Sequence, residues 1–431
     1  MKATNKSAIT FAAVTICFAL WGFANDVTNP MVEAFSKIFR MSTFDGTLVQ
    51  MAFYGGYFVF ALPAALYIRR YDFKNGLLVG LALFAIGSFG FLPAAASGSY
   101  YPFLISYFVL TCGLSFLETS ANPCILSMGD ASKSAYRLNL AQAFNPIGSL
   151  LGMFVAMLFV QEQLSPLSSA ERALLNEDTF EAVKNSDLLI LAKPYILIGL
   201  FSVVLFIIIR FVPMQSSGEN DSAMKWSEFK DTMCRILRTK SVKSGFLAQF
   251  FYVGAQIMCW TFIIHYGKEM LLKMGDMTES DAAAYSQRLN IVAMVLFCVM
   301  RFVFTYLMRF FSPARLLAIS AGGGILLSAG TIIFPGWSGM VCLIGISASM
   351  SLMFPTIYSL ALRRLTTEDS KIGAATQIMA ILGGSILPMI QAGIIDCNIE
   401  LSFSSPVAIS FIVPLISFVV ILLFAIRQRE A

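Results

Sequence analysis

A single carboxylate, Glu118, lies inside an apolar run that extends from about Tyr101 to Met128, within the sequence FLETSANP. An ionised side chain at the centre of a bilayer costs at least ~2.5–3.5 kcal/mol on insertion scales, so such residues are usually paired, protonated or functional. Two interpretations are open. Glu118 is either half of a structural salt bridge, with Arg301 as the nearest intramembrane cation by depth, or a group that binds and releases a proton. A pair that breaks when Glu118 is protonated would act as a switch.

A second polar group lies in the first apolar run, in the sequence FANDVTNP. Asn25, Thr28 and Asn29 share one helical face, whereas Asp26 lies about 100° around the helix from Asn25. Pro30 leaves the carbonyl of Asp26 without its usual donor and favours a local kink. We interpret Asp26 either as a helix cap or solvated charge near the outer end, or as a carboxylate that contacts a substrate.

Three amides recur at a spacing of three residues in RLNLAQAFNPIG: Asn139, Gln142 and Asn145. This spacing places them in one polar stripe on a helix. A lone amide at membrane depth usually forms a helix–helix hydrogen bond, but a stripe of amides together with a carboxylate suits a ligand rich in hydroxyl groups, which both donate and accept hydrogen bonds.

Aromatic residues accompany amides in AQFFYVGAQIMCW, where Tyr252, Gln256 and Trp260 are four residues apart and share one face. Rings beside hydrogen-bonding amides are typical of a sugar pocket, because the C–H faces of a sugar pack on rings. We therefore predict that Gln256 and Trp260 bind a sugar. The alternative for Trp260 is a place in the interfacial aromatic belt.

The chain is 57% hydrophobic and 13% charged, whereas soluble domains carry roughly 25% charged residues. Each helix that crosses a bilayer needs about 20 apolar residues. We count twelve such runs and predict an all-α membrane protein with twelve transmembrane helices. The predicted spans are Ile9–Phe35, Gly46–Arg69, Gly76–Ala95, Tyr101–Met128, Arg137–Val160, Lys193–Pro213, Val242–Tyr266, Ala282–Met308, Pro313–Phe334, Gly339–Leu365, Lys371–Ile395 and Pro406–Ile426.

Lysine and arginine gather in alternate loops and after the last span, and the remaining loops are short or acidic. The positive-inside rule therefore puts both termini and the central loop in the cytoplasm. Because no organelle signal is visible, we predict a multi-pass protein of the bacterial inner membrane. The basic residues are Arg69, Arg70, Lys74, Lys133, Arg137, Lys225, Lys230, Arg235, Arg238, Lys240, Lys243, Arg309, Arg315, Arg363, Arg364, Lys371, Arg427 and Arg429.

The halves of the chain resemble each other: NPCILSM (Asn122–Met128) is repeated as FPTIYSL (Phe354–Leu360). Such repeats indicate a two-bundle transporter with its site between the halves. We predict a six-helix bundle over residues 1–213, a cytoplasmic linker over 214–242 and a second six-helix bundle over 243–431.

Several functions are excluded by what the sequence lacks. The eight cysteines form no CxxC pair and there is one histidine, so we predict no metal site and no cofactor. A membrane enzyme would need a nucleophile–base pair or metal ligands within the spans, and neither is visible. The net charge of +5 reflects the basic loops rather than nucleic-acid binding.

The sequences FLETSANP, RLNLAQAFNPIG, AFYGGYF and QFFYVGAQ resemble the fucose permease family of the major facilitator superfamily, and the resemblance covers nearly the whole chain. It implies a twelve-helix sugar:proton symporter in which Glu118 is a protonation site and Gln142 and Asn145 line the sugar cavity. The chain departs from the family pattern in span 1, where Asn29 replaces an essential aspartate and the carboxylate lies three residues earlier. It also has Phe354 in place of a tyrosine.

We therefore predict a secondary transporter that imports a neutral monosaccharide, L-fucose or a related hexose, by proton symport. Glu118 and Asp26 are the predicted proton-coupling residues, and Arg301 is the predicted charge partner of Glu118. The predicted sugar-binding residues are Asn25, Asn29, Gln142, Asn145, Gln256 and Trp260. The predicted partners are a small-molecule sugar, protons and membrane lipid, and we expect a monomer. The alternatives are a proton-independent sugar facilitator and an exporter of amphiphilic compounds with the same fold, although the stripe of amides argues against the exporter.

Overall fold

The structure is a computed structural model, and every regular element in its described residues is helical. The described residues are 2–28, 34–35, 38–40, 43–161, 163–165, 167, 171–172, 174–214, 226–275, 277–334, 336–397 and 405–429. Asn29, which we predicted to bind sugar, and Pro30 lie outside them.

The first half of the chain contributes long helices and one interrupted span. Its helices are α1 (Lys2–Thr28), α2 (Thr43–Tyr71), α3 (Phe73–Ser97), α4 (Tyr100–Ser127), α5 (Ser134–Gln142), α6 (Phe144–Ala156) and α7 (Glu177–Phe211). A 3₁₀ turn at Ala131–Lys133 precedes α5, and a π-helical turn at Met157–Gln161 follows α6.

The second half also consists of long helices, and three of its spans are interrupted. Its helices are α8 (Trp226–Arg238), α9 (Lys240–Met274), α10 (Glu279–Leu307), α11 (Pro313–Ile333), α12 (Trp337–Met350), α13 (Met353–Leu362), α14 (Thr367–Met379), α15 (Gly383–Asp396), α16 (Pro406–Ile409) and α17 (Ile412–Arg429). A 3₁₀ turn at Ala380–Leu382 separates α14 from α15.

Eleven segments of the described residues are long and apolar enough to cross a membrane. They correspond to eleven of the twelve predicted spans, and the other predicted span corresponds to the 29-residue helix α2. The predicted all-α membrane fold is therefore confirmed.

The chain divides into two compact units. The first unit comprises Met1–Ile125 and Phe144–Lys225, and the second comprises Leu126–Ala143 and Trp226–Ala431. The break in the fifth predicted span falls between these units, because α5 ends at Gln142 and α6 begins at Phe144. The division into two six-helix bundles stays a prediction.

Inside the first unit, α1 packs against α6 at very close range. A Cβ atom at Gly148 would lie 1.9 Å from the carbonyl oxygen of Ala19, and one at Gly22 would lie 2.2 Å from that of Asn145. Only glycine permits such an approach of two helix backbones. The contact fixes the part of α1 that leads to Asn25 and Asp26.

The second unit contains an equivalent contact between α9 and α15. A Cβ atom at Gly383 would lie 2.0 Å from the carbonyl oxygen of Phe250, so here too a glycine allows the backbones to touch. In each unit, therefore, the first long helix is held against a later broken span by a glycine. This likeness supports the internal repeat that we predict.

Candidate functional site

Glu118 lies in α4 and is buried in the first unit, with 5% of its surface exposed. The Tyr57 hydroxyl, on α2, donates a hydrogen bond of 2.9 Å to its Oε1. The amide of Asn122 donates to the backbone carbonyl of Glu118 at 3.0 Å. The ion pairs in the described part of this unit lie elsewhere, as in Arg172–Asp187. Within that part, the carboxylate therefore faces a neutral phenol rather than a cation.

The polar motif of α1 contacts the same tyrosines. Asn25 is half-buried, and its side chain lies near enough to the Tyr57 hydroxyl to interact with it electrostatically. Its Oδ1 atom is buried and has no partner among the described residues. Asp26, also half-buried, interacts electrostatically with Tyr54, one turn before Tyr57 on α2. The structure thus brings Asn25, Asp26 and Glu118 into one cluster through two tyrosines.

Asn145, near the start of α6, takes part in the close contact with α1. It is half-buried, and its Nδ2 donates to the carbonyl of Phe18 at 3.1 Å. One turn later, the Ser149 hydroxyl donates to the carbonyl of Gly22 at 3.3 Å. One donor of the Asn145 amide is therefore used to hold the helices together.

Gln142 ends α5 and belongs to the second unit, where it is buried. Its backbone carbonyl accepts a hydrogen bond of 3.0 Å from Nη1 of Arg301. Nε of Arg301 donates to the carbonyl of Ser351, and the guanidinium carbon lies 4.8 Å from the ring centroid of Phe297. Arg301 is only 3% exposed and thus connects three helical segments of this unit. Its predicted pairing with Glu118 stays a prediction.

Trp260 and Gln256 lie on α9 and are both half-buried. Nε1 of Trp260 donates to the Ser347 hydroxyl at 3.2 Å, and the indole lies edge-on to the ring of Phe297, with 5.0 Å between centroids. The Trp260 side chain therefore packs between α9, α10 and α12.

Three polar residues of these clusters were not among our predicted site residues. Tyr57 lies in the sequence AFYGGYF, and its contact with Glu118 needs a second helix that spacing within one helix does not reveal. Gln249 and Tyr252 are fully buried on α9, and neither the Gln249 amide nor the Tyr252 hydroxyl has a partner among the described residues. A buried polar group without a partner costs about 1–3 kcal/mol, so both are candidates to bind water or substrate.

Metal chemistry receives no support from the described residues. Among them, no three His, Cys, Asp or Glu side chains gather closely enough to hold a metal ion. The polar clusters consist instead of amides, phenols and single charges, which are groups that bind hydroxyl groups and protons.

The family model of the Major Facilitator Superfamily matches residues 14–388. The chain is 44% identical to an L-fucose-proton symporter of Haemophilus influenzae, over 98% of this chain and 97% of the relative. It is 32% identical to an L-fucose-proton symporter of Escherichia coli, over 97% and 92%. It is also 32% identical to a glucose/galactose transporter of Brucella abortus, over 92% and 90%.

Among solved structures, the chain is similar to the Major Facilitator Superfamily transporter FucP in the outward conformation. The TM-score is 0.86 at 30% identity, and the match covers 98% of this chain and 99% of FucP. The predicted twelve-helix transporter architecture and the family resemblance are confirmed by these matches. The chain belongs to the Major Facilitator Superfamily and, within it, to the fucose permease family.

Proposed function

We propose that this protein imports a neutral monosaccharide, with L-fucose as the first candidate, together with a proton. We further propose that it does so across the inner membrane of a bacterium, with both termini in the cytoplasm. The observation that carries the proposal is Glu118, a carboxylate buried in a membrane helix whose recorded side-chain partner within its unit is a neutral tyrosine.

Glu118 suits proton transport because of the difference between its two charge states. A protonated carboxyl is uncharged and can remain in an apolar interior, whereas a buried carboxylate needs a cation or water. A carrier that must cross with its proton and return without it requires a group of this kind. We propose Arg301 as the partner of the ionised form, which would require its guanidinium to release the carbonyls of Gln142 and Ser351.

The sugar would be held by amides and rings from both halves of the chain. We propose Asn25, Asn145 and Asp26 as contacts in the first unit and Gln142, Gln256 and Trp260 as contacts in the second, with Asn29 assigned from the sequence alone. These groups donate and accept hydrogen bonds and carry one negative charge, which fits a polyhydroxyl ligand without acidic groups.

L-Fucose is preferred because the relative with 44% identity is a fucose symporter. A glucose/galactose transporter shares 32% identity, so related hexoses are the natural comparison. L-Fucose has a methyl group where galactose and glucose carry the C6 hydroxymethyl group, and glucose and galactose differ in the orientation of the C4 hydroxyl. Discrimination among them must therefore depend on the shape and polarity of the pocket around these positions.

The function is tested by following pH in a weakly buffered, anaerobic suspension of cells that express the protein. Adding L-fucose should make the medium alkaline as protons enter with the sugar, whereas cells expressing Glu118→Gln should give no such change. Alkalinisation with galactose or glucose instead would keep the mechanism and change the substrate. Entry of labelled sugar without any pH change would refute proton coupling and favour a facilitator.

A further inference from the structure

Tyr57 occupies a position between two residues of the proposed transport site. It is 2% exposed, its hydroxyl donates a hydrogen bond to Glu118, and the side chain of Asn25 interacts electrostatically with the same hydroxyl. Its backbone is also fixed, because the Ser115 hydroxyl on α4 donates to the carbonyl of Tyr57 at 3.2 Å. The phenol therefore meets α1 and α4 from a defined place on α2.

A tyrosine hydroxyl has one hydrogen to donate and can accept a hydrogen bond on its oxygen. While Glu118 is ionised, its carboxylate only accepts, so the Tyr57 hydrogen must point to it. The Tyr57 oxygen can then accept from the Asn25 amide nitrogen. The direction of this chain of hydrogen bonds runs from Asn25 to Glu118.

Protonation of Glu118 allows the chain to reverse. The carboxyl can donate its own hydrogen to the Tyr57 oxygen, and the Tyr57 hydrogen is then free to point to Asn25. An acceptor for that hydrogen is present, because Oδ1 of Asn25 is buried and has no partner among the described residues. A turn of the Asn25 amide would bring Oδ1 toward Tyr57 and turn the amide nitrogen away from it.

We propose that Tyr57 relays the protonation state of Glu118 to Asn25 and thereby frees the Asn25 amide nitrogen for sugar only when the proton is bound. This inference rests on the proposed function and assigns Tyr57 a positioning role. No covalent bond is made or broken in the relay apart from the uptake of the proton by Glu118. By linkage, sugar bound at Asn25 then favours protonation of Glu118 to the same degree.

In the described part of the first unit, two other titratable groups interact with this set of residues. Tyr54 lies one turn from Tyr57 on α2 and interacts electrostatically with it, and Asp26 of α1 interacts electrostatically with Tyr54. Glu118 is the carboxyl to which the Tyr57 hydroxyl donates.

The test is the affinity of the purified full-length protein for L-fucose, measured by calorimetry over a series of pH values. In the wild-type protein, affinity should fall as pH rises, by a factor of roughly ten, within the range usual for linked sites. In Tyr57→Phe, the Asn25 amide is never engaged by the phenol. This variant should therefore bind L-fucose at high pH as tightly as the wild type does at low pH.

The matched control is Tyr107→Phe. Tyr107 is fully buried in the same unit, and its hydroxyl bonds that of Tyr195 at 2.7 Å, so its loss reports general packing. It should keep the wild-type pH dependence. If Tyr57→Phe does not fold, Asn25→Leu carries the test, because it removes the other end of the relay and should also flatten the pH dependence.

The relay is overturned if Tyr57→Phe, or Asn25→Leu in its place, retains the full pH dependence while Glu118→Gln loses it. That result would leave Glu118 as the proton site and the proposed function intact. If Glu118→Gln itself retains the pH dependence, the proton binds elsewhere, and both the relay and the proposed role of Glu118 are refuted.

Discussion

Nη1 of Arg301 donates a hydrogen bond of 3.0 Å to the backbone carbonyl of Gln142. In an α-helix that carbonyl would accept from the residue four positions later, which is Pro146 and has no N–H. Nε of Arg301 donates to the carbonyl of Ser351, whose helical donor would be another proline, Pro355. One buried guanidinium thus donates to two carbonyls whose usual helical donor, four residues later, is replaced by a proline.

This relationship predicts that Arg301 stabilises the fold, in addition to its proposed role as the partner of ionised Glu118. Arg301→Met keeps much of the volume but leaves both carbonyls without their donor. Because hydrogen bonds to charged groups contribute about 1.5–3 kcal/mol each, we expect a clear loss of thermal stability in detergent. Arg301→Lys keeps the charge but lacks the planar pair of N–H donors. Its stability should therefore lie between that of Arg301→Met and that of the wild type.

The control for this series is Arg309→Lys. Arg309 is exposed on the same chain segment and donates to the Tyr136 hydroxyl at 3.0 Å. An exposed contact contributes little, so the melting temperature of this variant should match the wild type. If Arg301→Met were as stable as the wild type, the hydrogen bonds from Arg301 to the two carbonyls would not stabilise the fold, and the prediction would be wrong.

The close contact of α1 with α6 gives a second prediction. Gly148→Ala would place a methyl group 1.9 Å from the Ala19 carbonyl oxygen, which is backbone and cannot move aside alone. We expect the free energy of unfolding to fall by about 1–3 kcal/mol or more, which is the usual cost of overpacking. Reduced uptake should accompany it, because the contact positions the polar end of α1.

Gly322→Ala is the matched control. Gly322 lies within helix α11, and a Cβ atom there would meet nothing within 4 Å. Alanine is favoured over glycine inside helices by up to about 1 kcal/mol, so this variant should be as stable as the wild type or more so. A Gly148→Ala protein that melts and transports like Gly322→Ala would show that α1 and α6 can separate without consequence.

The sequence predicts the helices well and their contacts poorly. Twelve apolar runs are each long enough to cross a membrane, and such runs can hardly form anything but helices because lipid offers no partners for backbone groups. Pro146 and Gly148 also indicate bending in the fifth span. The described structure has α5 ending at Gln142 and α6 starting at Phe144.

Contacts between helices depend on rotation about each axis, which hydrophobicity alone does not fix. We matched Arg301 with Glu118 by depth, which a sequence does supply. The recorded partners are a phenol for Glu118 and two backbone carbonyls for Arg301. The carbonyls have a signal in the sequence, since a proline four residues later marks each of them. The contact of Tyr57 with Glu118 has no comparable signal, because the sequence of one helix does not show which neighbouring helix the tyrosine faces.

Glu118→Gln should separate the coupling of sugar uptake to protons from the conformational change that carries sugar across the membrane. Glutamine has the shape of a protonated glutamate and cannot release a proton, so the variant should exchange labelled for unlabelled sugar yet fail to concentrate it. Glu269→Gln is the control. Glu269 forms an ion pair of 2.6 Å with Lys273, whose side chain is largely exposed to solvent. The Glu269→Gln variant should keep concentrative uptake, and concentrative uptake that survives Glu118→Gln would contradict the assignment.

The displaced carboxylate in span 1 gives the last prediction. Family members carry an aspartate where this chain has Asn29, and here the charge lies three residues earlier, nearly one helical turn away. In the structure Asp26 interacts with Tyr54, beside the tyrosine that contacts Glu118. We expect Asp26→Asn to weaken sugar uptake strongly, because the cluster loses its second carboxylate.

The double variant Asp26→Asn with Asn29→Asp moves that charge to the family position. If a carboxylate at position 26 or at position 29 can reach the same sugar site, the double variant should recover the uptake that Asp26→Asn alone lacks. Its preference among L-fucose, galactose and glucose should change. Uptake of each labelled sugar, at matched protein levels, measures both effects. No recovery would mean that Asp26 acts through its own contact with Tyr54, and that its position rather than its charge is what this transporter requires.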